Sequence, residues 1–229
     1  MFQNTSSTHY PFPSATFFLY TIFTFVLLLG LTACGDGLEV AEETDALGYR
    51  TEYRVDPETG LKQGSLKQYG PAGNLMSEEN YVDGQLDGER IIYHDNGQPD
   101  IIEHYVMGEF EGEYLTYDST GTLTSKGQYI DGAMNKAWFF YYPNGEIHRS
   151  VNFENNEENG PFRDWYANGQ PKASGTLIEG DYEHGILHKY DENGELERVM
   201  NCDRARCKTS WTRDSTHTPP PGVDMTKPS

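Results

Sequence analysis

The stretch Ala137-Trp138-Phe139-Phe140-Tyr141-Tyr142-Pro143-Asn144-Gly145, running on through Glu146 to Phe153, decides the reading of this chain. Its first six residues are rich in aromatics and therefore strand-prone. Pro143-Asn144-Gly145 follows, and Asn-Gly is a strong hairpin signal because both residues tolerate positive φ. A second strand then runs from about Glu146 to Phe153. The segment reads as strand, turn, strand.

Outward from it, the same signals recur. Glycines stand at Gly73, Gly97, Gly121, Gly145, Gly169 and Gly194, so the steps are 24, 24, 24, 24 and 25. Four residues before each lies an aromatic: Tyr69, Tyr93, Tyr117, Tyr141, Trp165 and Tyr190. A second glycine series opens the units at Gly64, Gly88, Gly112, Gly160 and Gly185, with Lys136 in the missing place. A further series runs Tyr81, Tyr105, Tyr129, Phe153 and Leu177. Asp83-Gly84, Asp131-Gly132 and Glu179-Gly180 supply return turns, and the extra residue of the last step falls between Gly180 and Gly185. Tandem periodicity of this kind identifies a repeat array, in which neighbours supply the core that one unit cannot bury alone.

The expected fold class is all-β: an elongated, single-layer antiparallel sheet of about six tandem 24-residue β-hairpin repeats, starting at residues 64, 88, 112, 136, 160 and 185. A half-repeat over 48–63 caps the array, its Asp56-Pro57-Glu58-Thr59-Gly60 turn preceding Gly84 by one period. Residues two apart share a strand face, so the turn-preceding aromatics lie with Lys67, Ile91, Leu115, Phe139, Arg163 and His188. The intervening positions include Leu66, Tyr114, Trp138 and Phe162. Neither face is uniformly polar or apolar, which suits one twisted layer better than a sandwich. The repeat array spans 48–207 in this reading.

The pattern Gly-x-x-x-x-Tyr-x-x-Asn-Gly, with Tyr-x-x-Gly some eight residues later, resembles the MORN-repeat variant of many bacterial proteins, over about Glu52 to Met200. The resemblance implies an open antiparallel sheet engaged in protein association or, in some members, membrane contact. Bacterial members are often described as antitoxin-like or immunity-like, a label that rests on family analogy alone. The family has no shared catalytic residues to carry over.

The first 33 residues contain no Asp, Glu, Lys or Arg, and Phe17 to Leu31 is almost continuously apolar. That run is short of the roughly 20 residues of a membrane span but suits a signal peptide. It ends in Leu31-Thr32-Ala33-Cys34, which resembles the bacterial lipobox, although Met1 to Ser14 lacks the expected basic residue. Residues 1–33 are thus expected to be a lipoprotein signal peptide, with Cys34 the lipidated residue; the alternative is an uncleaved anchor with an incidental cysteine. On the first reading the lipid bilayer is a partner. The protein sits in the cell envelope, anchored to a bacterial membrane, for preference the outer one, and faces the periplasm or exterior. The acidic stretch 34–47 reads as a tether. Residues 208–229, which include Thr218-Pro219-Pro220-Pro221-Gly222, read as a disordered tail.

Composition narrows function. Of 229 residues 36% are hydrophobic, with 24 Gly, 16 Tyr and a formal net charge of −19. Such charge disfavours nucleic acid, since no basic patch replaces phosphate counterions. Catalysis finds no support: no Gly-x-Ser-x-Gly elbow, phosphate loop or zinc-protease motif occurs. His184 and His188, four apart in a strand, would stand about 13 Å apart, too far to share an ion. Asn155 to Asn159 is rich in oxygens, but no loop has the Asp-x-Asp-x-Asp-Gly pattern of a calcium site. We therefore expect no cofactor and no metal. Cys202 and Cys207 form a local disulfide if the compartment is oxidising, a redox or metal role being the alternative. The function expected is a non-catalytic module that binds an unidentified protein partner, with Tyr114, Trp138, Phe139, Phe140 and Tyr142 as the candidate patch. A structural envelope scaffold is the second reading, and toxin neutralisation the third.

Overall fold

The structure is a computed structural model and describes residues 37–218. Among these residues there is no helix, and all seventeen strands belong to a single open antiparallel sheet. In chain order they are β1 (Glu39–Thr44), β2 (Arg50–Val55), β3 (Lys62–Tyr69), β4 (Leu75–Val82), β5 (Gln85–Leu86), β6 (Gly88–Tyr93), β7 (Pro99–Val106), β8 (Glu109–Phe110) and β9 (Gly112–Tyr117). Then follow β10 (Leu123–Ile130), β11 (Ala133–Tyr141), β12 (Ile147–Glu154), β13 (Glu157–Trp165), β14 (Pro171–Ile178), β15 (Tyr182–Tyr190), β16 (Leu196–Asp203) and β17 (Arg206–Thr212). Each strand pairs with the next along the chain, and β5–β6 and β8–β9 are single courses interrupted by one residue. The result is a meander of fifteen courses, two to a repeat.

Two kinds of turn alternate. The return turns, such as Asp83-Gly84 and Asp131-Gly132, place both central residues at positive φ. That is the two-residue type I′ geometry whose twist matches the strands. The return turn after β14 holds three residues, Glu179 to Asp181, and so absorbs the extra residue of the last period. The Asn-Gly turns differ from the sequence expectation. At Tyr142 to Gly145 the Gly145 N–H donates to Tyr142 O at 2.9 Å, and only the glycine, at φ 81°, is left-handed. Asn144 instead uses its side chain: Oδ1 accepts from Glu146 N–H, and Nδ2 donates to Ala167 O in the next repeat.

The sheet extends beyond the expected array at both ends. Glu39–Thr44, expected to be tether, is strand β1, paired along its length with β2 and burying Ala41. Arg206–Thr212, mostly expected to be tail, is β17, paired with β16. The reason is the same at each end: the edge of the repeat sheet supplies a row of backbone partners along which the adjoining segment pairs as a further strand. Cys34 and the signal-peptide segment lie outside the described residues, as do residues 219–229.

The core sits on one face. Directly opposed residues of neighbouring strands share a face. Leu66 opposes Glu79, Tyr114 opposes Gly127, Trp138 opposes Val151, and Val151 opposes Phe162. Phe162 then opposes Gly175. Most of the buried apolar side chains lie in this row and the one beside it, ending at Leu177, Leu187 and Cys202. With no second layer to cover them, they cover one another. Trp138 is 3% exposed because Tyr114, Tyr129, Phe140 and Phe153 surround it, with ring centroids 5.5–6.5 Å away. Its indole lies across Gly127, where any side chain would collide with it. Trp165, fully buried, belongs to the reverse face.

Candidate functional site

The aromatic patch expected from sequence divides between the faces. Tyr114, Trp138 and Phe140 share the core face, linked through Trp138. Phe139 points to the reverse face, opposed to Lys126 and Ser150. Tyr142 lies in the hairpin turn, where its hydroxyl donates to Trp165 O at 3.0 Å. The five side chains therefore do not form one surface, and Trp138 is core rather than contact area. Alternation along a strand sends neighbours in sequence to opposite faces, so a run of aromatics cannot make a single patch.

Tyr142 has a role that the sequence reading missed. His94 Nε2 meets Tyr117 O at 3.0 Å, and Tyr166 donates to Tyr190 O at 3.0 Å. Asn96, Asn144 and Asn168 donate to Ser119 O, Ala167 O and Glu192 O. Three of the turns, at His94, Tyr142 and Tyr166, thus clasp the next one, 23 or 24 residues on, and help to hold the pitch there. The signal was present as the repeat-spaced series His94, Tyr142 and Tyr166, directly after the aromatics.

Midway along the core face the apolar row is interrupted. Arg90 Nε lies 3.3 Å from Glu79 Oε1, and its Nη1 lies 3.4 Å from Glu103 Oε2. Tyr81 and Tyr105 donate to the same two carboxylates. Burial, followed by that bond to Glu79, pushes the Tyr81 hydroxyl up to about 12. Every charge here has a partner, so the triad is part of the packing and offers nothing to a ligand.

The face opens farther along. Over β12 to β16 lies a concave basin of about 490 Å³. Its floor is Phe162, Ala173, Leu177 and Leu187, the heart of the apolar cluster. Its walls are charged. Arg149 lies with Nη2 2.7 Å from Glu158 and Nη1 3.5 Å from Asp164, its guanidinium 5.3 Å above the Phe162 ring. Lys172 lies 5.8 Å above the Tyr166 ring. Asp181, Glu183, Lys189 and Glu197 complete the rim. Burial raises the Asp164 carboxyl above its ordinary value, and Arg149, His148 and Lys172 oppose that rise. A basin whose rim carries both signs of charge can hold a segment with charges of its own, the rim fixing its orientation, while the floor side chains are already largely covered by one another and by Arg149.

The basin, too, was missed from sequence. Its charged residues occupy places that earlier repeats fill differently: Ile92, Thr116 and Phe140 stand one period apart, with Asp164 next in that series. Ser77, Ile101 and Ser125 likewise lead to Arg149. A charge appearing at a core-row position is the signal.

Among the described residues no group of three His, Cys, Asp or Glu is placed to hold a metal ion. His184 approaches Asp203 at 3.7 Å, and His188 is buried. The sulfurs of Cys202 and Cys207 are bonded at 2.01 Å, across directly opposed positions of β16 and β17.

Comparison with known proteins agrees with this geometry. The MORN repeat variant family matches four tandem segments, residues 62–83, 86–107, 110–131 and 134–155. Each begins at or within two residues of a first strand and ends in a return turn. The units opening at Gly160 and Gly185 lie outside the matched segments but repeat the same strand pairing. A search of curated proteins finds no match. MORN repeats mark a repetitive binding or scaffold module and are generally non-catalytic.

Proposed function

We propose that this four-fold MORN-variant array and the repeats that continue it form a non-catalytic, protein-binding module that works outside the cytoplasm. The observation that carries the reading is the basin over β12 to β16, a concavity above the apolar cluster that is ringed by both signs of charge. The partner is a protein segment whose charged side chains seat in the basin above Phe162 and Leu187. Its charges meet Lys189 on one side, and Asp181 and Glu183 on the other. The turn clasps support this reading, because they hold the basin's walls rigid and so lower the ordering cost of binding.

Two observations support placement outside the cytoplasm. The bonded Cys202–Cys207 pair is of a type that persists in oxidising compartments. The run Phe17 to Leu31 followed by Cys34 has the order of a lipoprotein leader. The lipid then anchors the sheet to a bacterial membrane through Cys34.

Photo-crosslinking in intact cells tests the binding site. A photoreactive residue at Lys172, within the basin, is expected to give a discrete protein adduct. The same residue at Ile186, exposed on the reverse face, is expected to give none. Equal adducts at both positions, or none at Lys172, overturn the assignment. Metabolic labelling with a fatty acid, lost on Cys34→Ala, tests the anchor separately.

A further inference from the structure

The two outer edges of the sheet are unlike each other. Among the described residues β1 pairs only with β2 and β17 only with β16, so each presents an outward row of backbone groups with no described strand against it. β1 carries Glu39, Glu42 and Glu43 and no cation. β17 carries Arg206 and Lys208 and no acid, in a chain with 36 acidic and 17 basic residues. Neither Arg206 nor Lys208 makes an ion pair among the described residues, although their neighbours Arg204 and Arg213 are paired with Glu179 and Asp191. Glu39 is likewise unpaired, while Glu42 reaches Arg50.

Charges on edge strands commonly keep sheets from joining. That role does not require a particular sign, and in a chain of net charge −19 acid at both edges would serve it. Instead one edge is acidic and the other basic. From this complementarity we propose that copies of the chain associate end to end, β17 of one against β1 of the next, so that the sheet continues across the junction.

Geometry permits it. The fifteen courses alternate in direction, so β1 and β17 run the same way. A copy carried forward along the sheet therefore presents β1 parallel to β17. In that arrangement like faces meet like. Arg206 and Lys208 oppose Asp203 and Asn201 on the reverse face, and Glu42 opposes Glu52 on the same face. The cations thus share a face with Glu42, while Glu39 and Glu43, which alternate with Ala41, lie on the core face and contribute through the net charge of the edge. The two-fold alternatives fail on charge: β17 against β17 sets Arg206 and Lys208 against themselves, and β1 against β1 does the same with its glutamates. The contact is heterologous and does not close on itself, so it generates chains rather than dimers. One strand pair is a small interface, and the association is correspondingly weak and salt-sensitive. The proposal does not depend on the basin or its partner.

Sedimentation velocity on the full chain, in mild detergent at low ionic strength, tests it. Wild type is expected to form a concentration-dependent ladder of oligomers that added salt dissolves. Arg206→Glu with Lys208→Glu makes both edges acidic, and Glu39→Lys with Glu42→Lys makes both basic. Each variant alone is expected to associate at least roughly tenfold more weakly, since attraction is replaced by repulsion. Mixing the two restores association, because each then offers an edge complementary to the other. That rescue separates a lost contact from a misfolded variant. A wild type that stays monomeric overturns the proposal, as do variants that associate like wild type or a mixture that fails to recover.

Discussion

Replacing Gly127 by alanine tests the packing of the core face most sharply. Gly127 lies in β10, at the irregularity between Lys126 and Gln128 in its pairing with β11, and its φ is outside the left-handed region, so a side chain there meets no left-handed strain. The obstacle is Trp138. An ideal Cβ on Gly127 would stand 2.1, 2.2 and 2.5 Å from three atoms of the indole, where carbon contacts settle at about 3.5–4.0 Å. An overlap of more than an ångström cannot be relaxed locally, so the indole must turn out of its place. Overpacking of this kind costs about 1–3 kcal/mol. Displacement also weakens the ring contacts with Tyr114, Tyr129 and Phe153, each worth about 0.5–1.5 kcal/mol. Together these give a loss of about 3 kcal/mol. Urea unfolding followed by near-ultraviolet circular dichroism measures it. A double-mutant cycle with Trp138→Leu identifies the cause, because once the indole is gone Gly127→Ala should cost nothing or stabilise slightly. Gly145→Ala is the contrast: nothing lies within 4 Å, and only its left-handed backbone at φ 81° resists, at about 1 kcal/mol. If Gly127→Ala unfolds within about 0.5 kcal/mol of wild type, or costs the same in the Trp138→Leu background, the reasoning is refuted.

Lys136 holds φ 61° where the other units have glycine, so Lys136→Gly should stabilise by about 0.5–1 kcal/mol, and an unchanged or lower urea midpoint would contradict this. The Cys202–Cys207 bond closes a loop with a sequence separation of 5, for which chain entropy gives about 2 kcal/mol; Cys202→Ala with Cys207→Ala should speed amide exchange in 206–212 roughly thirtyfold while β11 to β14 stay protected. The bond to Glu43, at 2.5 Å, heads the causes that push the Tyr53 hydroxyl up to about 12. Because the folded value is raised, its contribution is full below the unfolded value near 10 and is lost as pH climbs from about 10 to 12, so β1 should detach in that window. Tyr53→Phe should abolish this transition, and a tyrosinate titration showing Tyr53 ionising near 10 would exclude it.

The 24-residue period told most about this protein from sequence alone, and it did so for a physical reason. A unit of two strands and two turns cannot bury a core unless its copies stack, so periodic glycines and aromatics imply a single repeating sheet. The position of the extra residue after Gly180 was legible for the same reason, since only a turn absorbs an insertion without reversing a strand's faces. Cys202 and Cys207 were legible as a pair because few residues separate them.

What the period could not reveal lies in the departures from it and at its ends. The split of the Trp138 to Tyr142 run followed from strand alternation, yet which face held the core depended on Gly127 and Gly175 lying beneath Trp138 and Phe162. That is a contact between strands, invisible in either strand alone. The basin needed Arg149, Asp164 and Lys189 to meet across four courses, from positions that look unrelated in sequence. β1 and β17 have little repeat character of their own; they are strands because a sheet edge supplies the hydrogen-bond partners that their sequences do not specify. Local chemistry determined the unit and its period. Only the assembled sheet decided which face is core, where it opens, and that its two ends carry opposite charge.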